Sequence, residues 1–366
     1  MVDEPSVLSA VEGGVATLTL NRPKSINALD HPMVTAMDEL LRGWATDATI
    51  AAVVLEGAGE RGLCAGGDII AIHRDAASLS GDQAAGDAQA AACPSAVFWR
   101  DEYRLNADIA GYPKPYVAIM DGIVMGGGVG ISAHANTRIV TDRTRLAMPE
   151  VGIGFVPDVG GTHLLARVPD GLGTYAALSA GSLSGADAIA MGLADHFVPA
   201  DDLDAFRRTI GERSLDDAIA AFAQQPPASV LAGERDWIRD VFAAESVVEI
   251  IEGCRAVGTE FATKTAATIE AKSPTALAVT LRSLRDVRPT LAQTLTREYR
   301  VSLRSLLHPD MAEGIRAQVV DKDRNPSWQP AQHSAVSAAT VEGFFDALPD
   351  GLELAIDVAQ QEDSSV

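Results

Sequence analysis

The chain has 366 residues, enough for one large domain or two small ones around a real core. Hydrophobic residues make up 47% and charged residues 22%, the balance of a soluble globular protein, and with aromatics at only 5% small aliphatic side chains must fill the core. Fifty acids against 29 bases give a net charge of -21, which argues against a nucleic-acid binder that displaces phosphate counterions with Lys and Arg, and against attraction to an anionic membrane surface.

The first residues, MVDEPSVLSAVEGG, are acidic and have no basic n-region, so they read as neither a signal nor a transit peptide. Residues 15–21 (VATLTLN) place β-branched side chains at alternate positions and predict a strand. Residues 31–45 carry apolar side chains at helical spacing, with Asp30 placed to cap them. Residues 51–56 (AAVVLE), 115–120 (PYVAIM) and 138–141 (RIVT) predict short buried strands, and helices are expected to begin near Gly127, Gly160 and Ser184. Such alternation implies βα units whose helices cover the sheet.

Residues 75–94 (DAASLSGDQAAGDAQAAACP) are of low complexity and are expected to form a mobile surface insertion. From about Asp201 to Lys322 the patterns are helical, and Asn325-Pro326-Ser327-Trp328 breaks the chain. One amphipathic helix at 341–347 and an acidic frayed end close the sequence. This divides the chain into a core over 1–200, a helical region over 201–330 and a tail over 331–366. No apolar run reaches membrane-spanning length, and no internal repeat is visible.

Cys64, Cys93 and Cys254 are odd in number and form no CxxC pair, which points to a reducing compartment, the cytoplasm, without a disulfide framework or zinc site. The seven histidines show no paired metal-ligand spacing, so His134 and His163 read as packing or surface residues.

Three glycine-rich stretches could carry chemistry. Gly57-Ala58-Gly59-Glu60-Arg61-Gly62 is formally GxGxxG, but a dinucleotide fingerprint must open a helix, and the following LCAGGD is rich in turn formers. A plain loop is the simpler reading. Cys64-Ala65-Gly66-Gly67-Asp68 and Met125-Gly126-Gly127-Gly128-Val129-Gly130 each follow a strand signal and precede a helix signal. Bare backbone there presents unsatisfied N–H donors, and two such loops brought together would make an oxyanion hole; two tight turns at a close chain contact explain them as well. Gly62-Leu63-Cys64-Ala65-Gly66 also matches a nucleophile elbow with cysteine in place of serine, although the loop before it breaks the required strand.

Glu150 and Asp158 lie in MPEVGIGFVPDVGG, among glycines, prolines and aliphatic side chains. Carboxylates in apolar surroundings are costly unless used or paired, and two in one pocket push their pKa values apart. Ordinary surface acids on a solvated loop are the competing reading. Glu102, in FWRDEYR, sits on a predicted helix where Arg100 and Arg104 could simply be its neighbours.

Taken together these stretches resemble the crotonase (enoyl-CoA hydratase/isomerase) superfamily over roughly residues 7–330. Asn21-Arg22-Pro23-Lys24-Ser25-Ile26-Asn27-Ala28-Leu29 resembles its coenzyme A-lining loop, CAGGD and MGGGVG its two oxyanion loops, and MPEVGIGFVPDVGG its catalytic loop. Hydratases of the superfamily carry a glutamate where this chain has Gly130. Asp158, FWRDEYRLN, KSPTALAVTLRSL and DKDRNPSW resemble the 3-hydroxyisobutyryl-CoA hydrolase branch. The insertion at 75–94 and the tail after Trp328 depart from the family pattern.

The resemblance implies an α/β fold, a crotonase-type spiral of ββα units with a helical C-terminal region. It implies a thioester hydrolase with an acyl-CoA substrate, no metal and no further cofactor, and a homo-oligomer, trimer or hexamer. Gly67 and Gly127 would donate to the thioester oxygen. Glu150 would attack the carbonyl or activate water, and Asp158 would read the substrate hydroxyl. Glu102 would shape the same polar end, while Arg22 and Lys24 would meet coenzyme A phosphates. An enoyl-CoA hydratase or isomerase is the alternative enzyme, and a non-catalytic RNA-binding member the alternative outside catalysis.

Overall fold

The computed structural model describes residues 4–80 and 86–356. Grouped by contact, the chain forms two units that each collect three segments. One takes the segment ending at Gly67 together with Arg104–Ala147 and Ser182–Ala232; the other takes Asp68–Tyr103, Met148–Gly181 and the chain from Gly233 onward. The boundaries expected at 200 and 330 mark changes of sequence pattern, and this grouping does not run in chain order.

The first unit is built on a sheet. Strands β1 (Val7–Glu12), β2 (Val15–Leu20), β3 (Ala52–Gly57), β4 (Tyr116–Met120), β5 (Ile123–Met125), β6 (Thr137–Val140), β7 (Arg145–Ala147), β8 (Leu183–Ser184) and β9 (His196–Phe197) all belong to it. The larger sheet has the order β1-β2-β3-β4-β6-β9 and is parallel from β2 onward; the smaller has the order β5-β7-β8. Strand β1, antiparallel to β2, has no counterpart in the sequence reading. Only Val7 of its six residues is buried, so the alternation that marks a half-buried strand is missing.

Each turn of the chain gives one strand to each sheet. β4 is followed by β5, and β6 by β7, and β5 pairs in parallel with β7. One turn earlier, Cys64 bridges Val124 in parallel, so the stretch after β3 takes the place beside β5. This is the expected ββα spiral. Val15, Val54, Val117, Ile119 and Ile139 of the large sheet pack on Leu203, Phe206 and Ile210, an aliphatic core with little aromatic content. Helix His31–Thr46 forms as expected: Asp30 accepts from the Met33 amide at 3.0 Å, and Met33, Val34, Met37 and Leu41 face inward.

The second unit is mostly helical. Its helices include Ile69–Ser80, Asp87–Ala92, Val247–Val257, Glu260–Glu270, Pro274–Arg285 and Leu291–Leu307, and helix Pro94–Ala110 begins in it. The mobile insertion expected over 75–94 is corrected: outside residues 81–85, which lie beyond the described residues, it is helical and tied down. Asp75 accepts from the Ser95 amide at 2.8 Å and from its hydroxyl at 2.6 Å, and Asp87 pairs with Arg304 at 3.2 Å. Alanine is the strongest helix former, and Ala76 and Ala90 are buried, so low complexity here marks close helix packing. The tail helix is Ala338–Gly343, slightly earlier than expected; the chain beyond it packs on Leu291–Leu307 through Arg304 to the Asp346 carbonyl at 2.6 Å and Thr296 to the Leu354 carbonyl at 3.0 Å. The expected frayed end, beyond residue 356, lies outside the described residues.

Candidate active site

The first unit brings the two glycine loops together because the stretch through Cys64, after β3, bridges β5 at Val124. A Cβ on Gly66 would lie 3.7 Å from the Gly127 amide nitrogen. At Gly128 a Cβ would fall 2.5 Å from the Cys64 carbonyl oxygen, so only glycine permits this approach. The bridge between Leu29 and Gly67 runs from the Leu29 amide to the Gly66 carbonyl, at 2.8 Å. The Gly66 carbonyl and the Gly67 amide belong to one trans peptide plane and point in opposite directions, which leaves the Gly67 amide turned away from that bridge. Gly127 opens the short helix Gly127–Gly130, where its amide has no acceptor one turn back. Two backbone donors therefore stand on adjacent loops.

The second unit collects the acids. Glu150 begins the 3-10 helix Glu150–Ile153 and is 5% exposed; Asp158 is 5% and Glu102 2% exposed. The solvated-surface readings of all three are thereby set aside. Glu150 Oε2 and Glu102 Oε1 are buried without a hydrogen-bond partner. Burial first, then the charge of Asp158, raises Glu150 and Glu102 well above the usual carboxylate range. Burial pushes Asp158 up to about 7, against the pull of a hydrogen bond from Tyr103. These acids sense one another through low-dielectric surroundings, the condition under which carboxylates take unequal roles.

Helix Pro94–Ala110 and the loop after Glu150 are fixed to each other by aromatic packing. Trp99 stacks on Phe155, with ring centroids 5.3 Å apart. Tyr103, one turn further along the helix, donates to Asp158 Oδ2 at 2.7 Å. A Cβ on Gly154 would lie 2.2 Å from the Asp310 carbonyl, so the loop presses against the helix Pro309–Ile315 at a point only glycine allows.

Arg22 turns into its own loop, pairing with Asp30 at 3.3 Å and donating to the Ala28 carbonyl at 2.5 Å, while Lys24 is exposed. Cys64 is fully buried, with its sulfur 3.4 Å from the Gly66 amide, and fits the reading of a small buried side chain. Strand β3 ends at Gly57 and no helix follows before Ile69, so the GxGxxG stretch does not open one. His134 and His163 are half-buried, and among the described residues no group of His, Cys, Asp and Glu is arranged to hold a metal ion.

Two residues escaped the sequence reading. Glu298 accepts from the amides of Gly160 (2.7 Å) and Thr162 (3.0 Å) and from the Thr162 hydroxyl (2.5 Å). Tyr103 is held by Asp158 and by Ser302 at 2.8 Å. A signal for Glu298 existed: it lies three residues after Leu295 and four before Ser302, on the buried stripe of its helix.

The first unit carries paired backbone donors of the kind that stabilise charge on an oxygen, and the second a nest of buried, unequal acids of the kind that move protons; both are features of enzymes. The chain belongs to the enoyl-CoA hydratase/isomerase family, whose pattern it matches over residues 15–345. It is 37% identical over 359 residues to the mitochondrial 3-hydroxyisobutyryl-CoA hydrolase of Xenopus tropicalis, covering 95% of this chain and 90% of that one. The human mitochondrial 3-hydroxyisobutyryl-CoA hydrolase is 35% identical over 354 residues, covering 93% and 89%. Among solved structures, a carnitinyl-CoA dehydratase from Mycobacterium thermoresistibile is 51% identical with a TM-score of 0.90, covering 97% of this chain and all of that one. An enoyl-CoA hydratase from Rhodobacter sphaeroides is 37% identical with a TM-score of 0.87, covering 96% of this chain and all of that one.

Proposed function

We propose that the protein hydrolyses the thioester of 3-hydroxyisobutyryl-CoA, releasing 3-hydroxyisobutyrate and coenzyme A, a step of valine breakdown. The observation that carries this reading is the burial of Glu150 beside Asp158, with an unpartnered carboxylate oxygen on Glu150. The curated relatives named as 3-hydroxyisobutyryl-CoA hydrolases support it.

In the proposed reaction the amides of Gly67 and Gly127 donate to the thioester carbonyl oxygen. As charge gathers there, each donor contributes about 3 kcal/mol to the transition state. Glu150 attacks the carbonyl carbon to form a mixed anhydride that water then cleaves, freeing Glu150, or it takes a proton from a water that attacks directly; both routes need it ionised. The carbon–sulfur bond breaks, and the coenzyme A sulfur leaves as thiolate and takes up a proton. Asp158 accepts a hydrogen bond from the 3-hydroxyl, and Glu102 shapes the same end. Water supplies the oxygen that becomes the product carboxylate, and no electrons move to or from a cofactor, so the reading calls for neither metal nor redox group. A cytoplasmic location and a trimeric or hexameric assembly belong to the same reading; fractionation and the mass in solution test them. Lys24, exposed, remains the candidate for a coenzyme A phosphate, whereas the guanidinium of Arg22 has partners in its own loop.

A second reading, a dehydratase, is favoured by the 51% identity to the structure titled carnitinyl-CoA dehydratase. Gly130, where hydratases of the superfamily carry a glutamate, counts against it. One experiment separates the two. With 3-hydroxyisobutyryl-CoA, hydrolysis releases free thiol without a rise in enoyl absorbance, whereas dehydration raises the absorbance and releases no thiol.

A further inference from the structure

The phenol of Tyr103 sits at the centre of a short buried chain of hydrogen bonds. It lies 2.7 Å from Asp158 Oδ2 and 2.8 Å from Ser302 Oγ, and the Ser302 hydroxyl lies 2.8 Å from the Glu298 carbonyl oxygen. Tyr103 and Ser302 are both fully buried. The Tyr103 ring is fixed edge-on against Tyr299, with centroids 6.4 Å apart and planes at 85°.

The protons on this chain can be counted. An ionised Asp158 brings none, so the single phenol proton points at Oδ2, and the Ser302 hydroxyl supplies the phenol oxygen or the Glu298 carbonyl. Oδ2 then has one lone pair taken up by the protein, which makes it the more encumbered of the two oxygens. A group that approaches this carboxylate as a donor finds Oδ1. Without the phenol, both oxygens of a buried carboxylate would be free to turn, and the acceptor's direction would no longer be fixed.

We propose that Tyr103, held by Ser302, is a positioning residue for substrate specificity: by occupying Oδ2 of Asp158 it presents Oδ1 to the 3-hydroxyl of the acyl group. This deepens the reading above and rests on it. Tyr103 acts through Asp158 and need not touch the substrate.

The test measures kcat/KM by thiol release for 3-hydroxyisobutyryl-CoA and for isobutyryl-CoA, in the unaltered protein and in Y103F, S302A, D158A and Y103F/D158A. In the unaltered protein the hydroxylated substrate is preferred roughly tenfold or more, as expected of a buried acceptor that needs its donor. Y103F shrinks that ratio by about fivefold to tenfold, the loss of one hydrogen bond's worth of orientation, and S302A shrinks it by less. KM for the hydroxylated substrate rises more than KM for the plain one. Adding Y103F to D158A changes the ratio no further, an outcome that a merely structural role for Tyr103 does not give. If Y103F does not fold, S302A and the unaltered protein carry the test. A ratio near one in the unaltered protein overturns the reading of Asp158 and this inference together. A large ratio that survives both Y103F and S302A overturns the inference alone and leaves the reading of Asp158 standing.

Discussion

Glu298 Oε2 accepts a hydrogen bond from the Gly160 amide at 2.7 Å, across 138 residues of chain. Its other oxygen takes the amide and hydroxyl of Thr162. The carboxylate thus fills donors at the start of the short helix Gly161–Leu165, which begins three residues after Asp158. Asp158 is held from behind by Tyr103 and from ahead by the segment that Glu298 caps. Burial pushes Glu298 up to about 7, against the pull of these three hydrogen bonds and of Arg297.

Glu298→Gln keeps the shape but places an amide NH2 against a backbone N–H. Leaving one buried donor without an acceptor costs roughly 1–3 kcal/mol. We expect a lower denaturant midpoint with an unchanged slope, together with a fall in kcat. A variant as stable as the unaltered protein would mean that the cap does not hold the loop.

Glu150→Gln should reduce thiol release by a factor of about 100 to 10,000, the usual contribution of a positioned acid-base group. Affinity for coenzyme A, measured by calorimetry, should be almost unchanged. Turnover near that of the unaltered protein would remove Glu150 from the chemistry.

Activity and stability should respond to pH in opposite directions. The proposed reaction needs ionised Glu150 and Asp158, and both are raised by burial, Asp158 to about 7. Thiol release should therefore climb as pH rises through neutrality. For stability, a carboxyl raised in the folded state binds its proton more tightly there than when unfolded, where its pKa is about 4. That contribution is fully present below about pH 4 and is lost as pH rises through about 7. Asp158→Asn should make the decline in Tm between pH 5 and 8 shallower. An identical decline would show that Asp158 titrates normally.

Cys64→Ala should keep activity within a few-fold, because the sulfur is buried and its contacts with the Gly66 backbone, at 3.4 and 3.6 Å, are weak. Complete loss of turnover in a folded variant, with substrate protecting against iodoacetamide, would restore the cysteine nucleophile.

Gly128→Ala brings a Cβ to within 2.5 Å of the Cys64 carbonyl oxygen, closer than atoms can sit. The two glycine loops must move apart, and both Tm and kcat should fall. Normal turnover in this variant would separate catalysis from the spacing of the loops.

Much of this protein was legible in its sequence because the signals were local. Asp30 and the spacing of Met33, Met37 and Leu41 define the first helix, and β-branched runs define β2, β3, β4 and β6. The glycine loops and the stretch from Met148 to Gly161 name Gly67, Gly127, Glu150 and Asp158 as candidates. Their arrangement was not legible. Tyr103 meets Asp158 across 55 residues and Ser302 across 199, and such pairings follow from which helix faces pack together. The same holds for residues 75–94, whose composition reads as loop until buried Ala76 and Ala90 find partners, and for β1, which shows too little burial to alternate. Propensity and periodicity are set by neighbours in the chain. The burial that raises the acids, and the hydrogen bonds that orient them, are set by neighbours in space, and only the tertiary structure decides those.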